Sequence, residues 1–210
     1  MRISKFFTVA VIALLGFCNS SDAQTTTLDF SNAPGQIGTL LDIGAFVGTP
    51  VTAAVPGIPG LTLTATGSSV NSDALLNASS IGLGVNTPGA DDPDGVDTGF
   101  FVGESSSFTF NQDVSISDVA FADVDPVLGE AVSFGGVNLS GVDLGASTDF
   151  AFPSPLNVTA GSPIVFNELS GDGATIQGLT LTVESVPEPG SIAVLGMGGV
   201  LLLSRRRRSK

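Results

Sequence analysis

The chain has 210 residues, with 20 acidic and 7 basic side chains and a net charge of −13. All basic residues lie near the two ends, so residues 6–204 contain no lysine or arginine, and the whole chain lacks histidine, tyrosine and tryptophan. The composition excludes Ser-His-Asp and Cys-His catalysis and zinc or iron sites that need histidine. It also argues against nucleic-acid binding, because phosphate contacts need cationic side chains. Binding, assembly, oxygen-ligated metals and carboxylate chemistry stay open.

The first 23 residues have the parts of a secretory signal peptide. Two basic residues are followed by an apolar core at residues 6–17, which is shorter than an ordinary membrane span. Ser21 and Ala23 are small residues at the spacing of a cleavage site. We therefore expect a signal helix in residues 1–23, cleavage after Ala23 and export by the Sec route. A retained membrane anchor is the alternative.

Residues 24–186 form the exported body expected after cleavage. Of the 20 acidic residues, only Asp22 and Glu188 lie outside this body. The body therefore carries 18 carboxylates and no basic side chain. Apolar and polar residues alternate in short runs between Gly, Pro, Asn and Asp, which is typical of antiparallel strands. This pattern predicts an all-β fold, a single antiparallel β-sandwich of jelly-roll-like form. The runs are 61–66, 107–110, 114–116, 119–121, 132–134, 150–152, 164–166 and 179–183.

Two segments of the body allow more than one interpretation. Residues 74–79 fit either one helical turn or a loop. Residues 60–64 and 178–182 share the pentapeptide Gly-Leu-Thr-Leu-Thr. The shared pentapeptide predicts two similar strands near the two ends of one domain, and leaves open whether they are neighbours in one sheet.

The densest acidic cluster surrounds a glycine turn and consists of Asp91, Asp92, Asp94 and Asp97. Closely spaced carboxylates at such a turn can surround a hard cation, and the body has no base to balance them. Calcium is therefore a candidate cofactor, with Glu104 as a further candidate ligand. The spacing is not that of an EF-hand, and a solvated acidic loop is the alternative.

A second acidic set contains Asp118, Asp123, Asp125 and Glu130. Asp123 and Asp125 alternate along a strand-like run, so they share a face and are expected at a sheet edge or strand end. The favoured interpretation is protection of the edge by charge, and another cation site is the alternative.

Catalysis by two carboxylates is the one enzymatic chemistry that the composition permits. Glu104, Glu130 and Glu168 are the available glutamates for a glycosidase-type pair. The body has no tyrosine or tryptophan on which a sugar could stack, and no arginine or histidine to assist. We therefore expect that the protein is not an enzyme.

Residues 187–210 combine three features at the C-terminus. A Pro-Glu-Pro triplet interrupts the preceding strand pattern, and residues 192–203 then form an apolar stretch shorter than the roughly 20 residues that span a bilayer. Four arginines follow, and the positive-inside rule keeps them in the cytoplasm. These features predict a short C-terminal membrane helix that holds the body outside the inner membrane. The residues concerned are Pro187, Glu188 and Pro189, then Arg205, Arg206, Arg207 and Arg208.

In these three features the tail resembles the PEP-CTERM sorting signal of Gram-negative bacteria. The resemblance implies that an exosortase-type membrane enzyme recognises the chain and processes it near Pro187, Glu188 and Pro189. The body would first be anchored in the inner membrane and would then reach the cell surface or the extracellular matrix. Proteins with this tail are associated with exopolysaccharide and biofilm formation. A plain membrane anchor is the alternative.

The middle of the body also resembles a β-rich domain of exported proteins with such a tail. The resembling residues run from Ile81-Gly82-Leu83-Gly84-Val85 through Ser107-Phe108-Thr109-Phe110 to Asp123-Val124-Asp125. The resemblance implies a lectin-type jelly roll and supports a fold more than an activity.

The sequence as a whole predicts an exported, non-enzymatic envelope or extracellular-matrix protein. Its expected partners are the exosortase-type enzyme, the inner membrane and exopolysaccharide, but no nucleic acid. The alternative is a calcium-dependent carbohydrate-binding module of lectin-like jelly-roll type. The lack of tyrosine and tryptophan counts against that alternative.

Overall fold

The computed structural model describes residues 23–42, 45–70, 73–86, 103–122, 124, 129–140, 149–170 and 173–184. All described strands and the buried core lie within the compact unit Gln24–Val183. Because this unit contains its own hydrophobic core, it can fold alone. The predicted signal helix and C-terminal membrane helix fall outside the described residues. No helix in the described part of the chain is long and apolar enough to cross a membrane.

The described residues form 12 strands and one short helix, which confirms the predicted all-β class. Residues 74–79 contain a strand, β4, instead of the helical turn or loop expected there. The elements are β1 (Gln24–Asp29), α1 (Ile37–Leu41), β2 (Val51–Ala54), β3 (Thr62–Ser68), β4 (Leu75–Ala78), β5 (Leu83–Asn86), β6 (Ser105–Phe110), β7 (Val114–Ala122), β8 (Ala131–Phe134), β9 (Val137–Ser140), β10 (Asp149–Val158), β11 (Pro163–Ser170) and β12 (Thr175–Val183).

The strands form two antiparallel sheets of six strands each. In the first sheet the order is β10, β7, β12, β5 and β4, and β1 also pairs with β12. In the second sheet the order is β2, β3, β6, β11, β8 and β9. The two pentapeptides therefore lie in different sheets, because residues 60–64 lead into β3 and residues 178–182 belong to β12.

Phenylalanine rings join the two sheets across the core. Phe121 of β7 in the first sheet stacks on Phe166 of β11 in the second, with ring centroids 5.5 Å apart. The same ring meets Phe134 of β8 edge-on at 6.5 Å. All three side chains are fully buried. β7 and β11 alternate buried and more exposed positions, so each sheet turns one face inward, as a β-sandwich requires.

Both ends of the folding unit meet in one strand pair. Gln24, the first residue of β1, is opposite Val183, the last residue of β12. The first and last residues of the unit therefore lie at the same end of the β1–β12 pair. Leu28 anchors β1 to the core, while the other β1 side chains are exposed or half-buried.

Candidate functional site

Most of the predicted site residues lie outside the described part of the chain. Asp123 and Asp125 are among them. Within the described ranges, no group of three or more acidic, histidine or cysteine side chains is placed to hold a metal ion. The calcium and sorting assignments therefore stay predictions. The other residues outside are Asp91, Asp92, Asp94, Asp97, Pro187, Glu188, Pro189, Arg205, Arg206, Arg207 and Arg208.

Asp118 lies inside a sheet and not at its edge. It belongs to β7, which pairs with β10 on one side and β12 on the other. The β7–β12 register shifts between Thr180 and Leu181, so Ser117 has no counterpart on β12. Ser117 Oγ donates a 2.5 Å hydrogen bond to Asp118 Oδ2. Edge protection is therefore wrong for Asp118, which a β-bulge places in a half-exposed position.

Three glutamates of the second sheet are buried. The exposed fractions of Glu104, Glu130 and Glu168 are 3%, 4% and 2%. Each extends the inward-facing row of a strand: Glu104 just before β6, Glu130 just before β8, and Glu168 within β11. Sequence reasoning considered these residues as catalytic candidates, Glu104 also as a calcium ligand and Glu130 also as part of the second acidic set, and missed their burial. The alternation that predicts the strands also carries the signal for their inward direction.

Glu168 lies in β11, and Glu104 directly precedes the neighbouring strand β6. β11 and β6 pair from Pro163 opposite Thr109 to Phe166 opposite Ser106. Gly173 N donates a 3.1 Å hydrogen bond to Glu168 Oε1 in a buried setting. This bond ties the end of β11 to the segment that leads into β12 in the other sheet.

A groove of about 510 Å³ opens where the end of β10 meets the β8–β9 hairpin and the start of β11. β10 pairs with β7 up to Ala151 and again from Leu156. The exposed Pro153 and Pro155 lie in this interruption, and proline removes a donor from the ladder. The interruption leads directly into residues 156–158, which line the groove.

The β8–β9 turn explains how β10 comes so close to the hairpin. Gly135 and Gly136 have φ angles of 58° and 82°, as a two-residue hairpin turn requires. A Cβ atom on Gly135 would lie 2.7 Å from Leu156 Cδ2. Glycine at this position therefore allows the Leu156 side chain to pack directly on the turn.

The groove presents neutral polar groups beside apolar ones. Its polar side chains are Ser133, Asn157, Thr159, Ser162 and Asn167. Asn157 Oδ1 accepts a 3.0 Å hydrogen bond from Ser115 Oγ. Asn167 Nδ2 donates a 3.2 Å hydrogen bond to the Glu168 carbonyl. Amides held in place by such bonds, together with hydroxyls, can exchange hydrogen bonds with a neutral ligand rich in hydroxyl groups.

Comparison of the chain with protein-family models, curated proteins and solved structures finds no match. The function therefore has to be argued from the residues of this chain. Among the described residues, the groove lining contains no carboxylate and no other group that titrates near neutral pH.

Proposed function

We propose that the protein is an exported, non-enzymatic envelope or extracellular-matrix component, sorted by an exosortase-type system and associated with exopolysaccharide. The observation that carries this proposal is the tail: a Pro-Glu-Pro triplet, an apolar stretch and four arginines in a chain that begins with a signal-like segment. An acidic body without bases suits a matrix in which cations and polysaccharide surround it. A jelly-roll arrangement of the sandwich strands belongs to the same proposal.

Replacing Pro187, Glu188 and Pro189 together by alanine should block processing in the producing organism. We expect the variant to stay in the membrane fraction with its tail attached, because its apolar stretch and arginines still hold it there. Immunoblots of fractionated cells with an antibody against the body would measure both the mass and the location of the protein.

A matched control for the triplet is the double substitution P56A/P59A, which changes two exposed prolines between β2 and β3. This variant should be sorted like the wild type. Processing and release of the triplet variant at the wild-type level would contradict the proposal. Wild-type protein found only in the periplasm, with none at the surface or in the matrix, would contradict it as well.

Carbohydrate binding by a lectin-like module is the second candidate, and the neutral polar groove favours it. Under this proposal the amides of Asn157 and Asn167 bind sugar hydroxyls. The Val165 side chain, which is 42% exposed, would pack its apolar surface beside the sugar ring. Calcium dependence, the finer part of this candidate, would show as binding that is lost in EDTA.

The substitutions N157A and N167A should each weaken binding of purified residues 24–186 to the organism's exopolysaccharide about tenfold, the effect of losing about 1.4 kcal/mol of hydrogen bonding. Affinity electrophoresis at several polysaccharide concentrations would give the dissociation constants. N138A, on the exposed part of β9 outside the groove lining, is the control and should bind like the wild type. Wild-type protein without saturable binding would contradict this candidate.

A further inference from the structure

The outward face of the second sheet carries no charged side chain on its strands. The six strands contain a single charged residue, Glu168, which is 2% exposed and points inward. In the first sheet, by contrast, Asp29, Asp118 and Asp149 are half-buried or exposed. The body as a whole is acidic and contains no base, so the strands of the second sheet present a neutral surface on an acidic molecule.

Hydroxyl groups on this outward face form rows that cross the strands. One row consists of Thr52, Thr64 and Thr109, which are opposite one another on β2, β3 and β6. Thr52 Oγ1 lies 2.7 Å from Thr64 Oγ1. A second row pairs Thr66 with Ser107. Neighbouring strands are about 4.8 Å apart and residues on one face of a strand about 7 Å apart, so these hydroxyls are regularly spaced.

Both rows lead to the groove. Pro163 of β11 is opposite Thr109, and Val165 is opposite Ser107. Pro163 and Val165 line the groove together with Asn167 of the same strand. The groove and the two rows therefore form one continuous uncharged surface, which extends about 14 Å across the strands from β11 to β2.

The chemistry of this surface favours an uncharged ligand. Carboxylate, sulfate and phosphate groups bind most strongly to cationic side chains, and residues 6–204 contain no lysine or arginine. The acidic body also repels an anionic chain. Hydroxyl and carboxamide groups, by contrast, can donate hydrogen bonds to ligand hydroxyls and accept them without a charge on either partner.

We propose that this surface, from the groove to β2, binds an uncharged linear polysaccharide whose chain lies across the strands. The proposal rests on the carbohydrate-binding function considered as the second candidate, and adds to it the class of sugar chain and the surface that holds it. Part of the chain occupies the groove, and the sugars that follow exchange hydrogen bonds with the two rows of hydroxyls. Each such bond contributes little alone, so a long chain binds more tightly than a short one.

Exopolysaccharide separated by charge tests the predicted class of chain. Anion-exchange chromatography divides the organism's exopolysaccharide into a neutral and an acidic fraction, and affinity electrophoresis measures the binding of purified residues 24–186 to each in the same buffer. We expect saturable binding to the neutral fraction and binding at least about tenfold weaker to the acidic one. Equal or tighter binding of the acidic fraction would overturn the proposal. Absence of binding to both fractions would contradict the carbohydrate candidate itself.

Substitutions outside the groove lining test the extended surface. T52V/T64V removes one hydrogen-bonded pair of hydroxyls, and valine keeps the β-branched shape that suits a strand. This variant should bind long neutral chains about tenfold more weakly than the wild type. Short oligosaccharides cut from the same fraction should bind both proteins equally, because they fill only the groove. Far-UV circular dichroism would verify that the variant is folded.

The matched control is T27V/T180V, which removes the corresponding hydroxyl pair between β1 and β12 of the first sheet. It should bind long chains like the wild type. The extended surface would be overturned, with the groove intact, if T52V/T64V bound long chains at wild-type strength while N157A did not. An equal loss in T27V/T180V would overturn it as well. Sedimentation showing a dimer that T52V/T64V abolishes would assign the face to a contact between two copies instead.

Discussion

Replacing Phe121 by alanine is expected to destabilise the folded body by about 3–5 kcal/mol. Phe121 is fully buried and contacts two rings of the opposite sheet, Phe166 at 5.5 Å and Phe134 at 6.5 Å. The substitution removes both ring contacts and leaves a cavity between the sheets. Close-packed strands relax only partly into such a cavity, so most of the loss remains.

Circular dichroism melts of residues 24–186 would measure this effect. A loss of this size should lower the melting temperature by about 6–20 °C in a domain of this length. Phe46→Ala is the matched control, because that side chain is 58% exposed and its loss should change the free energy of unfolding by no more than about 0.5 kcal/mol. Similar melting temperatures for the two variants would contradict the arrangement of the core.

The strands with the clearest alternation are those that the sequence predicts best. Residues 107–110 and 164–166 lie in β6 and β11, and their inward positions carry the large apolar side chains. In such strands one face is buried and the other is not, so the local pattern records the final environment. The all-β class follows directly from these segments.

β1 shows why some strands cannot be predicted from the local sequence pattern. Its sequence Gln-Thr-Thr-Thr-Leu-Asp has one buried residue, Leu28, and no apolar row. Pairing with β12 places Thr25 Oγ1 2.9 Å from Thr182 Oγ1, and Thr27 Oγ1 3.2 Å from Thr180 Oγ1. These partners are more than 150 residues away along the chain. No local pattern predicts which distant strand will supply such contacts.

The candidate sites depend on register in the same way. Alternation alone puts Glu104 and Glu168 on inward faces, but only the fold shows that β6, which Glu104 precedes, pairs with β11, which contains Glu168. The groove likewise joins Asn157 of β10 to Asn167 of β11 and Ser133 of β8. Its shape also depends on a glycine turn and an interrupted strand. Composition therefore indicates which kinds of chemistry are possible for the protein. The fold is needed to locate each site.

Replacing Gly38 by alanine should destabilise the body by about 3 kcal/mol or more, although the position is helical. Alanine normally stabilises a helix relative to glycine by about 1 kcal/mol. Gly38 lies in α1, where an added Cβ would overlap the carbonyl oxygens of Phe30 and Ser31. These are main-chain atoms and cannot rotate away. Phe30 is fully buried and packs on Phe108 at 5.4 Å, so a shift of its backbone disturbs the core.

The sign of the Gly38 effect distinguishes packing from helix propensity. Urea unfolding of Gly38→Ala and of Leu40→Ala would compare two positions of the same helix. Leu40 is 51% exposed, so its truncation should cost less than about 1 kcal/mol. If packing dominates, the glycine variant is the less stable of the two. A Gly38→Ala protein as stable as the wild type would show that the segment joining β1 to α1 moves away from the new methyl group at little cost.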